Sequence, residues 1–584
     1  MPFARHFVSA VIAAGVLGSI ALAPQPAAAQ AYGERSAVVE NDCGHDCLIG
    51  FARRYMDGLV HHDPSRVPFA KTVEFTENDV VIPIGSGLWG SISAASPDAL
   101  LAADPDTGNV AWLGSVEEHG APAYYAMRLE VRDGRITEVE TVVDRKTELP
   151  APFGDPSKVV HDPAFAEVLP APLRRERERL RDVANGYFST VERNDGDLLT
   201  LFDPDCERTE NGISTTRGRY GSAALAQGCE AQFKLGIFRI NKRVRERRYP
   251  LIDVQRGVVV ATGFFDHDNS FDRYTTTDGK EHRTLLKWPN SLSLMEAFEI
   301  RGGKIYRVEA IFTYAPYFMH SPWAEGAGPP ASKAQVAASG GPAVDEHPQT
   351  CDRACLIGLA DRYMEALAAH DPSSLPWAKI VRYTENSVPM NVGEGQWGSV
   401  TGKSADAIEV ADPATGNVAW LGSVEEHGDP AYYGMRLTVR ARKIAAVEAV
   451  IDPQKGPGRL GDPARYIHDL AFKQILPASE RSSRTRLIAL ARSHLEAGLD
   501  RADQRLRDPR FSVVDAERGV VVTTAFIDHG ARRADLGTNG KAREPPYPDT
   551  LGLIEALKIR GGRIDRTETI YTSLPYAMPS PWVQ

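Results

Sequence analysis

Apolar residues follow a helical period early in the chain and then change to a two-residue period. Leu48, Ala52, Tyr55 and Leu59 recur at helical spacing and predict a helix that ends near His61. Alternating apolar positions downstream predict strands over residues 73–77, 110–116, 125–131 and 136–143. Helices followed by an antiparallel meander predict an α+β unit with the helices on one face of a curved sheet.

Turn and cap signals divide these elements. Asp63-Pro64 predicts the cap and first residue of a second helix. Asp133-Gly134 and Gly302-Gly303 predict tight hairpin turns.

The pattern is duplicated within the chain. Residues 107–132 return as residues 415–440 with only positions 121, 126 and 130 changed. Self-alignment predicts four units in two duplicated halves: A (43–150), B (165–323), A′ (351–458) and B′ (470–582). All four end with an isoleucine followed by a glutamate four residues on, which makes A and B variants of one fold; the glutamates are Glu140, Glu309, Glu448 and Glu568. A glutamate present in every unit fits a structural role better than a catalytic one.

Two further features complete the predicted organisation. Unit B′ lacks a counterpart of the Cys206 to Cys229 region of unit B. Residues 324–350, rich in Ala, Gly, Pro and Ser, predict a flexible linker between the halves.

The N-terminus predicts export. Arg5 precedes an apolar run over residues 8–23, and small residues at 27–31 offer a cleavage site near 29–31. Residues 1–31 are therefore predicted to be a signal peptide, and the mature protein to be secreted or periplasmic without a membrane span.

Charge and cysteine content narrow the classes further. Sixty-seven basic and 77 acidic residues give a net charge of −10, and no basic stripe indicates nucleic-acid binding. In an oxidising compartment the even number of cysteines favours disulfides. The predicted close pairs are Cys43/Cys47, Cys206/Cys229 and Cys351/Cys355. Metal ligation is the weaker alternative, because each pair would need two more ligands.

These elements and motifs resemble a known superfamily. Cys-x3-Cys on the first helix, His-Asp-Pro-Ser, Thr-Glu-Asn and the Glu-x-Gly-x-Pro-Ala hairpin resemble a SnoaL-like domain of secreted microbial proteins, within the nuclear transport factor 2-like superfamily that includes ketosteroid isomerase. The resemblance implies four cone-shaped α+β barrels and a pocket between sheet and helices that many members use for cofactor-free acid–base chemistry. It does not fix the function, since this fold serves enzymes and binders alike.

Strand parity selects the residues of such a pocket in unit B. Glu296 shares a face with Phe298 and Ile300, and the neighbouring strand carries His267. A carboxyl in apolar surroundings has a raised pKa and can act as an acid or base near neutral pH. The predicted catalytic set is Glu296 and His267 for proton transfer, Tyr187 and Arg208 to stabilise negative charge, and Glu210 as the orienting carboxylate. The structural alternatives are a buried Arg208–Glu210 ion pair and a solvated His267 at a strand end.

Units A and A′ are predicted to contribute ligand contacts. The predicted substrate-binding residues are Glu77, Trp89, Glu118 and Tyr125 in A, and Glu385, Trp397 and Glu426 in A′. The two tryptophans fit a lid or core position as well.

Two functions remain open from the sequence. One is a cofactor-independent lyase or isomerase that acts on a small apolar organic molecule; no nucleotide, flavin or metal motif is present, so no cofactor or metal is expected. The other is a non-catalytic binding or scaffold protein in which paired domains bury their sheet faces, with a homodimer as a further option.

Overall fold

The structure is a computed structural model that describes residues 43–145, 154–217, 227–284, 286–324, 351–453, 462–499, 503–530 and 547–583. The predicted signal peptide and all but the first residue of the predicted linker lie outside the described residues, as do the last residues of units A and A′. No helix in the described ranges is long and apolar enough to span a membrane.

The first sheet has seven strands and one long helix. Its elements are α1 (His45–Val60), β1 (Phe69–Glu77), β2 (Val80–Val81), β3 (Ile92–Ala95), β4 (Leu100–Asp104), β5 (Asn109–Glu118), β6 (Ala121–Arg132) and β7 (Arg135–Arg145). The strand order is β2-β1-β7-β6-β5-β3, with β4 also paired to β5. The apolar stripe of α1 packs on this sheet, as its helical spacing predicts. Asp63 caps only a three-residue helical turn, Pro64–Arg66, rather than the second helix that the sequence predicts.

The second sheet has six strands. Its elements are α2 (Arg177–Arg193), β8 (Phe202–Glu210), β9 (Ile213–Ser214), α3 (Cys229–Leu235), β10 (Arg243–Asp253), β11 (Val258–His267), β14 (Asn290–Arg301) and β15 (Lys304–Pro316), while β12 (Arg273–Thr275) and β13 (Glu281–Arg283) form a separate ribbon. The strand order is β10-β11-β14-β15-β8-β9. The turns at Asp133-Gly134 and Gly302-Gly303 both have positive φ, which explains the glycines there.

The third sheet repeats the first. Its elements are α4 (Arg353–Ala368), β16 (Trp377–Glu385), β17 (Val388–Pro389), the one-turn helix α5 (Gln396–Ser399), β18 (Val400–Lys403), β19 (Ile408–Asp412), β20 (Asn417–Glu426), β21 (Asp429–Arg440) and β22 (Lys443–Asp452). The fourth sheet has four strands, in the order β23-β24-β25-β26, and the helix α6 packs on it. Its elements are α6 (Arg484–Ala497), β23 (Gln504–Asp515), β24 (Val520–His529), β25 (Asp549–Arg560) and β26 (Arg563–Leu574).

Separate sheets with helices packed on them make the protein α+β, as predicted. All six cysteines are paired as predicted, in the disulfides Cys43–Cys47, Cys206–Cys229 and Cys351–Cys355. The prediction that the cysteines form disulfides rather than bind a metal is therefore confirmed.

The sheets bury one face against a helix and the other against a neighbouring sheet. Apolar side chains of the first sheet, such as Leu113 and Ala126, pack against Val260 and Met295 of the second. The third and fourth sheets make the equivalent contact. At Gly434, a Cβ atom would lie 2.3 Å from the Ile554 side chain, so this glycine permits the close approach.

The two halves also share contacts with each other. Phe526, Leu574 and Met578 belong to the same buried cluster as the core of the first sheet. Arg243 Nη2 and Tyr317 Oη donate to Glu394 at 2.8 and 2.9 Å.

Candidate functional site

Four of the five predicted catalytic residues meet inside the second sheet. Tyr187 lies on α2, Arg208 and Glu210 lie on β8, and Glu296 lies on β14. Glu296 pairs with Ala310 on β15, and Ala310 pairs with Glu210, so the two carboxylates lie in one row across three strands. The parity that the sequence predicts for these strands therefore places both acids on the face that α2 covers.

Arg208 holds this group together. Its guanidinium pairs with Glu210 and donates from Nη1 to Gln232 Oε1 at 3.2 Å. It also lies over the rings of Phe238 and Phe233, at 4.6 and 5.3 Å from their centroids. Such stacking on aromatic faces suits a guanidinium that is removed from water. The predicted Arg208–Glu210 pair is present and Arg208 is buried, whereas Glu210 is 23% exposed and gives the group its contact with solvent.

The carboxyl of Glu296 is the group most changed by this environment. Burial, and after it the negative charge of Glu210, raise its pKa to about 8, although Arg208 and a hydrogen bond with Tyr187 act in the opposite direction. Its Oε2 atom has no hydrogen-bond partner among the described residues. Burial also raises the pKa of Tyr187 far above its usual value, so this phenol keeps its proton. The site thus holds a carboxylic acid that is protonated near pH 7 beside a hydrogen-bonding phenol.

His267 does not join this group. Its ring bonds Asn290 Oδ1 at 3.0 Å and Asn241 Oδ1 at 2.8 Å, and burial lowers its pKa. Glu296 pairs with Ala261, six residues before His267 on β11, so roughly 20 Å of strand separates them at about 3.3 Å per residue. The prediction that Glu296 and His267 share proton transfer is wrong. The alternative of a solvated histidine is also wrong, because His267 is only 2% exposed.

The predicted substrate-binding residues of the first sheet lie in its interior. Arg145 donates from Nε to Glu118 at 2.6 Å and from Nη2 to Glu77 at 3.2 Å. Burial raises the pKa of Glu77, against the charge of Arg145. Trp89 is buried, with its ring edge-on to Tyr55 at 5.5 Å, and Tyr125 is also buried. These four predicted residues, Glu77, Trp89, Glu118 and Tyr125, therefore lie where core packing places them.

The third sheet keeps the acids and changes their surroundings. Glu385 and Trp397 are buried, and Ser399 Oγ donates to Glu426 at 3.0 Å. Pro453 occupies the position of Arg145 in the repeat. Burial raises the pKa of Glu385 to about 8, and the Tyr383 hydroxyl and the Gln396 N–H donate to it.

The fourth sheet contains a pair that the sequence prediction missed. His494 occupies the helix position equivalent to Tyr187, and its Nε2 lies 3.3 Å from Oε1 of Glu555, the counterpart of Glu296. This hydrogen bond raises the pKa of His494 above its usual value. The sequence signal for this pair is the alignment of α2 with α6 through Leu180 and Leu487, which places His494 at the position of Tyr187.

The four closing-strand glutamates make structural contacts. Glu140 accepts from Arg128 at 2.8 Å and from Arg248 of the second sheet. Glu309 instead bonds His161 Nδ1 at 2.6 Å and the Asp162 N–H at 2.8 Å. Glu448 and Glu568 repeat these two arrangements with Arg510 and His468. The interface arginines were not apparent from the sequence, since their partners lie on another sheet.

Comparison with known protein families identifies one family that the chain matches. The chain matches the family described as Domain of unknown function (DUF8021) over residues 173–312, 349–451 and 480–571, more than half of its length. The chain belongs to this family. The matched DUF8021 stretches contain the helices and most of the strands of the second, third and fourth sheets. Residues 43–145 lie outside them, although 351–453 repeat these residues.

Other likenesses are weak. No curated protein matches the chain. AclR from Streptomyces galilaeus is 13% identical with a TM-score of 0.15, over 18% of this chain and 82% of its own. A protein from Sphaerobacter thermophilus is 18% identical with a TM-score of 0.15, over 19% of this chain and 100% of its own. With TM-scores this low, neither of these two structures supports a conclusion about the fold or function of this chain.

Proposed function

We propose that this DUF8021 protein is a cofactor-independent acid–base catalyst, a lyase or isomerase, acting on a small apolar organic molecule at Glu296. The observation that supports this function is the raised pKa of Glu296, about 8, beside Tyr187 and the Arg208–Glu210 pair. Carboxyls with such shifts are typical of groups that transfer protons near neutral pH. In this proposal the four sheets are four SnoaL-like cones, and the protein acts after export, which the three disulfides suit.

The proposed chemistry is a proton transfer to and from one substrate. The Glu296 carboxyl gives its proton to a basic oxygen or carbon of the substrate, and the resulting carboxylate is stabilised by Arg208 and by the Tyr187 hydroxyl. A carbon-bound proton then returns to Glu296, which restores the acid. The aromatic side chains of the cluster, including Phe202, Phe233 and Phe298, favour an apolar substrate over a charged one.

Hydrogen exchange into the substrate tests this function without knowledge of the product. A panel of small apolar carbonyl compounds is incubated with the mature protein in D2O, and loss of the proton beside the carbonyl is followed by NMR. We expect at least one compound to exchange faster with the wild type than with Glu296→Gln. Glu299→Gln is the matched control, since Glu299 is buried on the opposite face of the same strand. Exchange that is equal in all three proteins, or absent throughout, rejects catalysis at Glu296.

A scaffold function is the second candidate. The observation that favours it is that, in each pair of sheets, the faces turned away from the helices are buried against each other. Paired domains with filled interiors of this kind serve as packing partners. Under this function, Glu296→Gln alters thermal stability but no ligand shifts the melting temperature of either protein.

A further inference from the structure

Three of the four large sheets have a parallel strand added to the outer side of their closing strand. β1 pairs with β7, β8 with β15, and β16 with β22. Each added strand is nine residues long and runs into the sequence Thr-Glu-Asn. The fold therefore has one standard position for an extended segment of defined direction.

The asparagine after each added strand fastens it to the closing strand. Asn211 Nδ2 donates to the Phe312 carbonyl at 2.9 Å, and the Phe312 N–H donates to Asn211 Oδ1 at 3.0 Å. The same two bonds join Asn78 to Val143 at 3.1 and 2.7 Å. A side-chain amide that bonds a backbone N–H and C=O in this way completes a strand's ladder.

In the described part of the chain, the fourth sheet ends at β26 without such a strand. Among the described residues nothing pairs with the outer edge of β26. Thr567 is exposed where its counterpart Val308 is buried, and Thr569 is half-buried where Ala310 is buried. Only six residues separate α6 from β23, which is too few for a strand as long as β8. An open strand edge presents unpaired backbone donors and acceptors.

Glu555 gives this edge a charge preference. Glu555 is 6% exposed, and its Oε1 atom accepts from Thr569 Oγ1 at 3.0 Å and lies 3.3 Å from Nε2 of His494 on α6. Its Oε2 atom has no hydrogen-bond partner in the described part of the chain. In the second sheet, the added strand β8 brings the guanidinium of Arg208 toward the equivalent acid, Glu296. No described strand brings a guanidinium to Glu555.

We propose that the outer edge of β26 accepts an extended segment of a partner protein. The segment runs parallel to β26, places an arginine or lysine toward Glu555, and ends in an asparagine that bonds the closing strand. Strand addition of this kind takes its affinity from main-chain hydrogen bonds and its specificity from alternate side chains. The inference does not depend on catalysis at Glu296.

The chain supplies a probe for this edge. The probe is a fluorescein-labelled peptide of residues 201–211 with serine in place of Cys206, and its binding to the mature full-length protein is measured by fluorescence anisotropy. We expect saturable binding in the micromolar range. Replacing the peptide arginine with alanine, or Glu555→Gln in the protein, is expected to weaken binding about tenfold. Combining both changes is expected to weaken it little further, because the two groups contact each other.

Two variants separate the edge from other surfaces. Thr567→Pro removes a backbone donor from β26, and we expect it to abolish binding. Because Thr567→Pro risks misfolding, the test also relies on Glu555→Gln and on the peptide without its arginine. Glu281→Gln changes an exposed acid on the separate ribbon, and this control must bind as the wild type does. Absence of saturable binding below about 1 mM, or binding indifferent to both the arginine and Glu555, overturns the proposal.

The same experiment identifies other occupants. If light scattering shows a dimer that the peptide dissociates, the edge belongs to a second copy of this chain. If the peptide binds only after residues 32–42 are deleted, the chain covers its own edge. Either result overturns the assignment to a partner protein.

Discussion

Arg145 donates two hydrogen bonds to the buried carboxylate of Glu118, at 2.6 Å from Nε and 3.0 Å from Nη2. The same guanidinium reaches Glu77, so one cation serves two buried acids. In the repeat, Pro453 stands at this position and Tyr383 replaces Phe75. The two copies thus stabilise the glutamate of the Thr-Glu-Asn sequence differently: Arg145 contacts Glu77, whereas the Tyr383 hydroxyl donates to Glu385.

Removing this cation is the first prediction. Arg145→Met leaves Glu77 and Glu118 buried without their common partner, and breaking such a pair costs about 3–5 kcal/mol. Urea unfolding of the wild type and variant measures the loss. Adding Glu77→Gln to the variant should recover part of it, since one buried charge is then removed. A loss below about 1 kcal/mol would show that the three groups are not coupled.

The pH dependence of stability tests the environment of Glu296. Its pKa is raised from 4.5 to about 8 in the folded protein, so between these values the folded state binds a proton that the unfolded chain has released. Stability from this group is therefore present at low pH and is lost as the pH rises toward 8, by up to about 1.4 kcal/mol per pH unit. The unfolding free energies of the wild type and Glu296→Gln should diverge accordingly across this range. Parallel curves would contradict the assignment, and Glu281→Gln serves as the exposed control.

The glycine at 434 tests the contact between the third and fourth sheets. A Cβ atom there would lie 2.3 Å from Ile554, so Gly434→Ala should destabilise the protein by about 1–3 kcal/mol through overpacking. The first half has Ala126 and Met295 at the two equivalent positions. The double variant Gly434→Ala/Ile554→Met recreates that pair and should recover most of the loss in thermal or urea unfolding. If the two changes add without recovery, the sheets do not pack as described.

The disulfides should differ in their contribution to stability. Cys206–Cys229 closes a longer loop than Cys351–Cys355, with sequence separations of 23 and 4. In the loop-entropy account, removing the longer loop costs about 3 kcal/mol and the shorter about 2 kcal/mol. Paired cysteine-to-serine variants, compared by urea unfolding, measure both. The opposite ranking would mean that strain or denatured-state structure outweighs loop length.

The sequence predicts a structural feature correctly where the feature depends only on the spacing of apolar residues or on the internal repeat. The stripe of Leu48, Ala52 and Tyr55 gives α1, and strand parity places Glu296 and Glu210 on one face because both depend on local geometry alone. The sequence prediction fails for His267, since a shared face says nothing about position along a strand. The length of β11 decides that question, and the asparagines around His267 lie on other elements.

Contacts between sheets could not be predicted from the sequence either. Arg248 reaches Glu140 across 108 residues, and neither residue carries a local signal of its partner. The predicted domain boundaries stay a prediction, and so do the exported location and the SnoaL-like relationship. His494 was within reach of the sequence, because the internal repeat aligns it with Tyr187.

The shared cluster of Phe526, Leu574 and Met578 with the first-sheet core has a consequence for the duplicated halves. A protease that cuts between residues 324 and 351 would leave two fragments that remain bound as a tight complex rather than two independent proteins.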